Sequence, residues 1–314
     1  MSDVRAIIVS DLHLQKTPPV ARSAEDDWFE AMARPLHELT SVQEELASNG
    51  FDIPILYAGD IFDRWNAGPE VINFAIKELP FGHAIPGQHD LKNHQYEARM
   101  EGAYGTLVLA GAIHDIPPGV PYAAPYGDWP EDLIVYAFPW GHDLHPIEDS
   151  KQTLNLALGH KYIWAKGAGY PGAPETALAG ATQKMLAGFD AAAFGDNHKG
   201  FIKNTKKSTS ILNCGGMMRR KTDERAYRPG FGLLLADGTF ERYYFNTYEE
   251  KFIEETAAEQ AIGRVLDMTV FVDGLAELDG GDALDFIGAM KQFMIENDIP
   301  PSVQHIINKA SSHG

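Results

Sequence analysis

The chain has 314 residues, a formal net charge of -18, 44% hydrophobic residues and a single cysteine, Cys214. This composition suits one large or two modest globular domains and excludes a disordered or fibrous chain, a small disulfide scaffold and a thiolate-rich zinc cluster. No secretory leader opens the sequence and no run approaches the roughly 18 apolar residues of a membrane helix, so a reducing cytoplasm is the expected compartment and no membrane partner is expected.

In chain order, residues 5–10 read as a short buried strand ending at Asp11, and residues 52–58 repeat that design before Gly59-Asp60. Between them, residues 24–49 carry Phe29, Met32, Leu36, Leu39, Val42 and Leu46 at spacings of three and four, which predicts a helix stopped at Gly50. A second helix is predicted over 69–79, a strand over 82–86 and a further helix over 97–109. Six strands then follow at 133–138, 154–159, 191–195, 210–214, 232–236 and 240–245, interrupted by one helix over 175–186. Strand-helix alternation giving way to consecutive strands predicts two sheets packed face to face with helices outside, a layered α/β domain over residues 1–246. Residues 247–314 are acidic and predicted mostly helical (256–266, 283–296 and 303–309), a cap or docking segment too short for a second full core.

Residues of metal-ligand type recur at the ends of the predicted strands: Asp11-Leu12-His13, Gly59-Asp60-Ile61-Phe62-Asp63, Gly87-Gln88-His89-Asp90, Gly159-His160 and Gly195-Asp196-Asn197-His198. One such cluster means little, because a lone histidine after a strand is usually structural. Five in order are different, since α/β sheets place ligands at the carboxyl ends of their strands and all five can converge on one crevice. Carboxylates and imidazoles without thiolates suit Mn²⁺, Mg²⁺, Fe²⁺ or Zn²⁺, and a carboxylate between two cations can bridge them. Paired cations of this kind serve phosphoester cleavage by activating a water and neutralising the phosphate oxygens.

The order Asp-x-His, Gly-Asp-x-x-Asp, Gly-x-His-Asp, a lone His and Gly-x-x-His resembles the calcineurin-like metallophosphoesterase superfamily over about residues 5–236. Gln88-His89-Asp90, the Gly195-to-His198 ending and the stretch from Asn213-Cys214-Gly215-Gly216 through Arg219, Glu224 and Gly230 resemble the SbcD-type DNA repair nucleases, bacterial or phage-encoded. The resemblance implies a four-layer αββα metallophosphoesterase sandwich with a short helical C-terminal cap. It implies a phosphodiesterase using a metal-bound hydroxide. Asp11, His13 and His198 would hold the first ion, Asp60 would bridge, and Gln88, His160 and Asp196 would hold the second. His89 would protonate the leaving group, Asp90 would orient its ring, and Asp63 would fix the loop presenting Asp60. Gln88 stands where the superfamily usually has Asn, and Asp196 where a histidine is usual. The extra carboxylate makes the site harder, so of the two expected divalent ions Mn²⁺ comes first and Mg²⁺, Fe²⁺ or Zn²⁺ after it.

Between 199 and 228 lie nine basic residues, Lys199, Lys203, Lys206, Lys207, Arg219, Arg220, Lys221, Arg225 and Arg228, against Asp223 and Glu224. An otherwise acidic chain thus carries a positive island starting right after His198, which points to DNA as the partner, with Lys199, Arg219 and Arg220 as backbone contacts and Lys203 to Lys207 a solvated hairpin loop. Phe62, Trp65, Trp140 and His142 are candidates for stacking on bases. Phe286, Met290, Phe293 and Met294, at helical spacings in the acidic tail, would dock an SbcC-like ATPase subunit, and a homodimer is a further expected assembly. The expected function is therefore a DNA nuclease, exonuclease or endonuclease. The alternative is a small-molecule or protein phosphoesterase, encouraged by Arg64 after Asp60-x-x-Asp63, and a noncatalytic subunit retaining the fold is a third class.

Overall fold

Short apolar runs in this chain become the central strands, such as β1, β2, β7 and β8, which are buried on both faces because helices or loops cover one side and a second sheet the other. The computed structural model describes residues 4–47, 53–124, 129–148, 153–170 and 172–254. It contains the strands β1 (Val4–Val9), β2 (Ile55–Ala58), β3 (Gly82–Ile85), β4 (Ile113–Asp115), β5 (Pro121–Tyr122), β6 (Leu133–Phe138), β7 (Leu154–His160), β8 (Ala191–Gly195), β9 (Phe201–Lys203), β10 (Ser210–Asn213), β11 (Gly230–Leu235) and β12 (Phe240–Tyr244). The helices are α1 (Trp28–Ala47), α2 (Pro69–Glu78) and α3 (Ala103–Leu109).

Two six-stranded mixed sheets result, ordered β12-β11-β1-β2-β3-β4 and β5-β6-β7-β8-β10-β9. In the first, β1 to β4 run parallel and β11 returns antiparallel to β1, pairing Ile8 with Gly232. In the second, β6, β7, β8 and β10 are parallel, with β5 and β9 antiparallel at the edges. Alternation along β1 assigns its two faces: Ile7 and Val9 pack with Met32, Leu36 and Leu39 of α1, whereas Ala6 and Ile8 join Leu56, Val135, Leu156 and Leu212 between the sheets. These side chains are fully buried, and each of the valines, leucines, isoleucines and Met32 contributes about 1.5–3 kcal/mol relative to exposure.

The α/β sandwich expected from the sequence is what forms. Helix 24–49 and strands 82–86, 133–138, 154–159 and 191–195 are found within a few residues, while the stop at Gly50 lies outside the described residues. The helix over 175–186 is corrected. Leu178 is extended and bridges to Trp164, with the Ala179 N–H donating to the Trp164 carbonyl at 2.8 Å, so only two 3-10 turns form, Glu175–Ala177 and Thr182–Lys184. Those turns and their loops cover the outer face of the second sheet through Leu144, Ile163, Ala179 and Leu186. The helix over 97–109 is broken at Gly102, where the Ala103 N–H donates to the Trp65 carbonyl at 2.7 Å, leaving a 3-10 segment, Tyr96–Glu101, ahead of α3. The short strands β4, β5 and β9 carry too few residues for periodicity to reveal them.

The first compact unit runs Met1–Ile253, beyond the boundary expected at 246. The reason is a buried charge cluster. Arg22, 1% exposed, donates to Glu25 at 2.5 Å, sits 3.3 Å from Glu250 and donates to the Arg219 carbonyl at 2.7 Å, and its guanidinium and that of Arg219 both face the ring of Phe252. Removing one partner from a buried pair leaves an uncompensated charge. Arg22→Ala is therefore expected to destabilise this unit by about 3–5 kcal/mol, read as a fall of roughly 10 °C in its thermal midpoint. Residues 255–314, with their expected helices and docking positions, lie outside the described residues.

Candidate metal centre

All five polar clusters converge at the carboxyl ends of β1, β2, β3, β7 and β8. Three of the carboxylates sit on left-handed backbone just past a strand: Asp11 with φ 53°, Asp60 with φ 53° and Asp196 with φ 81°, and His13 follows at 47°. This region is uncommon for residues other than glycine, and aspartate is among those that enter it most readily. The turn swings each carboxylate back across the strand ends toward one point. Glycines before the ligands serve the same end. A Cβ on Gly59, itself at φ 94°, would lie 2.2 Å from His160 Nδ1, and one on Gly87 would lie 2.2 Å from Asp60 Oδ1.

The donors form overlapping groups. Asp11, His13 and His198 make one, Asp11, Asp60 and His160 another, and His13, Asp60 and His89 a third, each with one atom per residue within 4.8 Å of the others. His198 Nε2 lies 3.7 Å from Asp11 Oδ1, His13 Nε2 lies 3.8 Å from Asp60 Oδ2, and His160 Nε2 lies 3.4 Å from the same Asp60 oxygen. Asp60 thus stands between the His13 side and the His160 side, where a bridging ligand belongs. Gln88 reaches the centre too, its amide Nε2 donating to Asp196 Oδ1 at 2.9 Å.

Buried polar atoms without partners test whether this centre suits cations. Asp60 Oδ2, His160 Nε2 and Gln88 Oε1 all lack a hydrogen-bond partner although fully enclosed. Such groups are rare in folded proteins and costly unless something satisfies them. Oxygen and imidazole donors crowded around three carboxylates fit divalent cations well.

The surrounding bonds hold the donors in place. Ser10 Oγ donates to Asp11 Oδ2 at 2.7 Å, the Asp196 N–H donates to Asp11 Oδ1 at 3.1 Å, and His160 Nδ1 meets the Ala58 carbonyl at 2.6 Å, which leaves Nε2 for a metal. Asn197, within the Gly195-to-His198 motif, is a buried brace whose amide donates to the Ile163 and Ala168 carbonyls at 2.9 Å.

Asp90 does not orient the His89 ring. Its carboxylate accepts the backbone N–H groups of Phe62 at 2.9 Å, Gly87 at 3.0 Å and Ile61 at 3.3 Å, tying the β2 and β3 loops together. His89 Nδ1 is instead 3.0 Å from the Asp63 carbonyl, and the His89 backbone N–H donates to Asp60 Oδ1 at 3.0 Å. The Asp63 carboxylate accepts from Arg220 Nη2 at 2.5 Å, so the residue whose carbonyl meets the exposed His89 ring is itself held by Arg220.

The expected DNA contacts divide. Lys199 is exposed beside His198. Arg219 is committed inward, its guanidinium bonded to Glu250 at 2.5 Å, the Arg225 carbonyl at 2.6 Å and the Thr247 carbonyl at 3.4 Å, and Arg220 is paired with Asp63 and Gln15. Lys203, Lys206 and Lys207 are exposed on the β9–β10 hairpin, as expected. Phe62 is fully buried in the helix-side core and cannot stack on a ligand, whereas Trp65 lines a cleft beside His89.

Burial and mutual repulsion set the charges without metal. Burial, with the Asp60 charge adding, pushes Asp11 and Asp90 up to about 7, and burial raises Asp196. Burial alone would raise Asp60 too and lower His160, but their mutual attraction wins, holding Asp60 well below the usual carboxylate range and His160 well above the usual imidazole value. Burial, reinforced by Arg220, lowers His13 and brings His198 down to about 4. The depressed histidines gain stability as pH rises to 6.5. Above that only the raised groups titrate, and the stability they contribute is lost with increasing pH. Metal-free protein is therefore expected to melt lower at pH 8 than at pH 6.5, and saturating Mn²⁺ to raise the midpoint more at pH 8, as differential scanning fluorimetry would show.

A profile of the calcineurin-like phosphoesterase family matches residues 4–200. The chain belongs to this family. No curated protein matches it by sequence. Among solved structures, this calcineurin-like phosphoesterase is similar to Termus thermophilus sulfate thiohydrolase SoxB in complex with glycerol, at 12% identity over 85% of this chain and 60% of that one, with a TM-score of 0.44. It is also similar to the calcineurin-like phosphoesterase YfkN from Bacillus subtilis (12%, 88% and 99%, 0.42) and to 5'-nucleotidase from Candida albicans SC5314 (13%, 83% and 57%, 0.43). The match spans about 60% of the length of the first of these. Among the described residues, no helix is long and apolar enough to cross a membrane.

Proposed function

We propose that this calcineurin-like phosphoesterase is a two-metal phosphodiesterase that cleaves DNA. The observation that carries the phosphodiester chemistry is Asp60, whose unpartnered Oδ2 lies 3.8 Å from His13 Nε2 and 3.4 Å from His160 Nε2, with the His89 N–H on its other oxygen. Asp11, His13 and His198 would hold one ion and Gln88 Oε1, His160 Nε2 and Asp196 the second, with Asp60 shared. When bound, the cations supply positive charge that makes a water nucleophilic near neutral pH and offsets the charge building on the phosphate. Mn²⁺ or Mg²⁺ suits the oxygen-rich donor set better than Zn²⁺.

The protein's own groups complete the step. His89, held through Nδ1 by the Asp63 carbonyl, keeps its second ring nitrogen for the substrate. As the water oxygen bonds to phosphorus and the bond to the leaving oxygen breaks, His89 gives that oxygen a proton. The exposed Lys199, which donates to the Gly169 carbonyl at 3.4 Å, with the exposed Lys203, Lys206 and Lys207 beyond it, supports a polyanionic substrate, because solvent-facing positive charges can follow a phosphate backbone. The test compares single- and double-stranded DNA with small phosphate mono- and diesters in Mn²⁺. DNA breakdown that weakens steeply with salt is expected, and turnover of monoesters alone would overturn the nuclease reading.

A further inference from the structure

We infer that the cleft beside His89 receives an unpaired nucleobase on the leaving-group side of the scissile phosphodiester; this rests on the nuclease reading above. The cleft, of about 320 Å³, is within the size range of small-ligand sites and is lined by Arg64, Trp65, Asn66, His89, Asn93 and His94, among others. His89 belongs both to this wall and to the cluster with His13 and Asp60. Whatever departs as His89 delivers its proton therefore departs into this space.

The lining fits a base better than a sugar or a carboxylate. Trp65 offers an indole ring, and the amides of Asn66 and Asn93 offer both donors and acceptors for the polar edge of a heterocycle. Arg64, 81% exposed and only 4.0 Å from Asp63 as a partner, stands at the rim for a neighbouring phosphate. The backbone points the same way. Asn93 and His94 are consecutive residues at φ 53° and 55°, a costly conformation for non-glycine residues that tends to gather at ligand sites. Beyond them the His94 ring meets the edge of Trp140 at 6.3 Å, extending the aromatic surface.

A base stacked inside a duplex cannot enter such a cleft, so the favoured substrate is single-stranded DNA or a frayed end. The test is a coupling measurement with the metal-loaded full chain. Wild type, Trp65→Ala and Trp65→Phe are compared on a single-stranded oligonucleotide and on the same oligonucleotide carrying an abasic residue at the leaving position. Removing the base or the indole is expected to lower kcat/KM by roughly 10-fold or more, the two losses not adding, with Trp65→Phe restoring most of the activity. Additive losses, in an enzyme that still cleaves DNA, would overturn the base site and leave the nuclease reading intact. A wild-type enzyme that hydrolyses small esters but no DNA would overturn both.

Discussion

Asp60→Asn is expected to lower phosphodiesterase activity by more than about 100-fold, beyond the upper range for losing an outer-shell partner of a metal site. The substitution isolates charge from fold. Asparagine also tolerates the left-handed backbone found at Asp60, where φ is 53°, and its amide oxygen can still accept the His89 N–H that Asp60 Oδ1 accepts at 3.0 Å. What disappears is the negative oxygen between His13 and His160. Two cations would then face each other without a shared anion, so metal content by mass spectrometry is expected to fall along with activity, and the thermal midpoint in chelator is expected to fall as well because His160 loses the charge that offsets its burial. Full activity with unchanged metal content would show that Asp60 does not bridge.

Removing the proton donor has a different signature. His89→Gln is expected to reduce kcat on DNA by about 10²–10⁴-fold while leaving metal content intact. The loss should shrink on bis(p-nitrophenyl) phosphate, whose leaving group departs as a stable anion and needs little protonation. A residue that merely shaped the site would cost both substrates alike. Asp63 supports this donor, its carbonyl meeting His89 Nδ1 at 3.0 Å while its carboxylate engages Arg220.

The metal centre was legible in the sequence because its geometry is local to strand ends. A strand followed by Asp-x-His or Gly-Asp-x-x-Asp needs only the parallel sheet to bring its donors together, and Asp11, His13, Asp60, His160 and His198 do meet. Asp90 is the opposite case: adjacency to His89 suggests a pair, but a 3-10 turn points its carboxylate at the N–H groups of Phe62 and Gly87. Arg219 looked like a phosphate contact until Glu250, 31 residues onward, claimed its guanidinium. Periodicity likewise made a helix of 175–186, where a bridge between Leu178 and Trp164 decides the backbone instead. In each case the deciding partner is distant in sequence or perpendicular to the local pattern, and no spacing rule reports it.

Burial and unpaired donors account for why this centre wants cations, and titration of metal-free protein with Mn²⁺ by isothermal calorimetry tests that claim directly. Two ions per chain are expected, with His198→Ala weakening one site and His160→Ala the other. A single site, or binding that survives both substitutions unchanged, would contradict that claim.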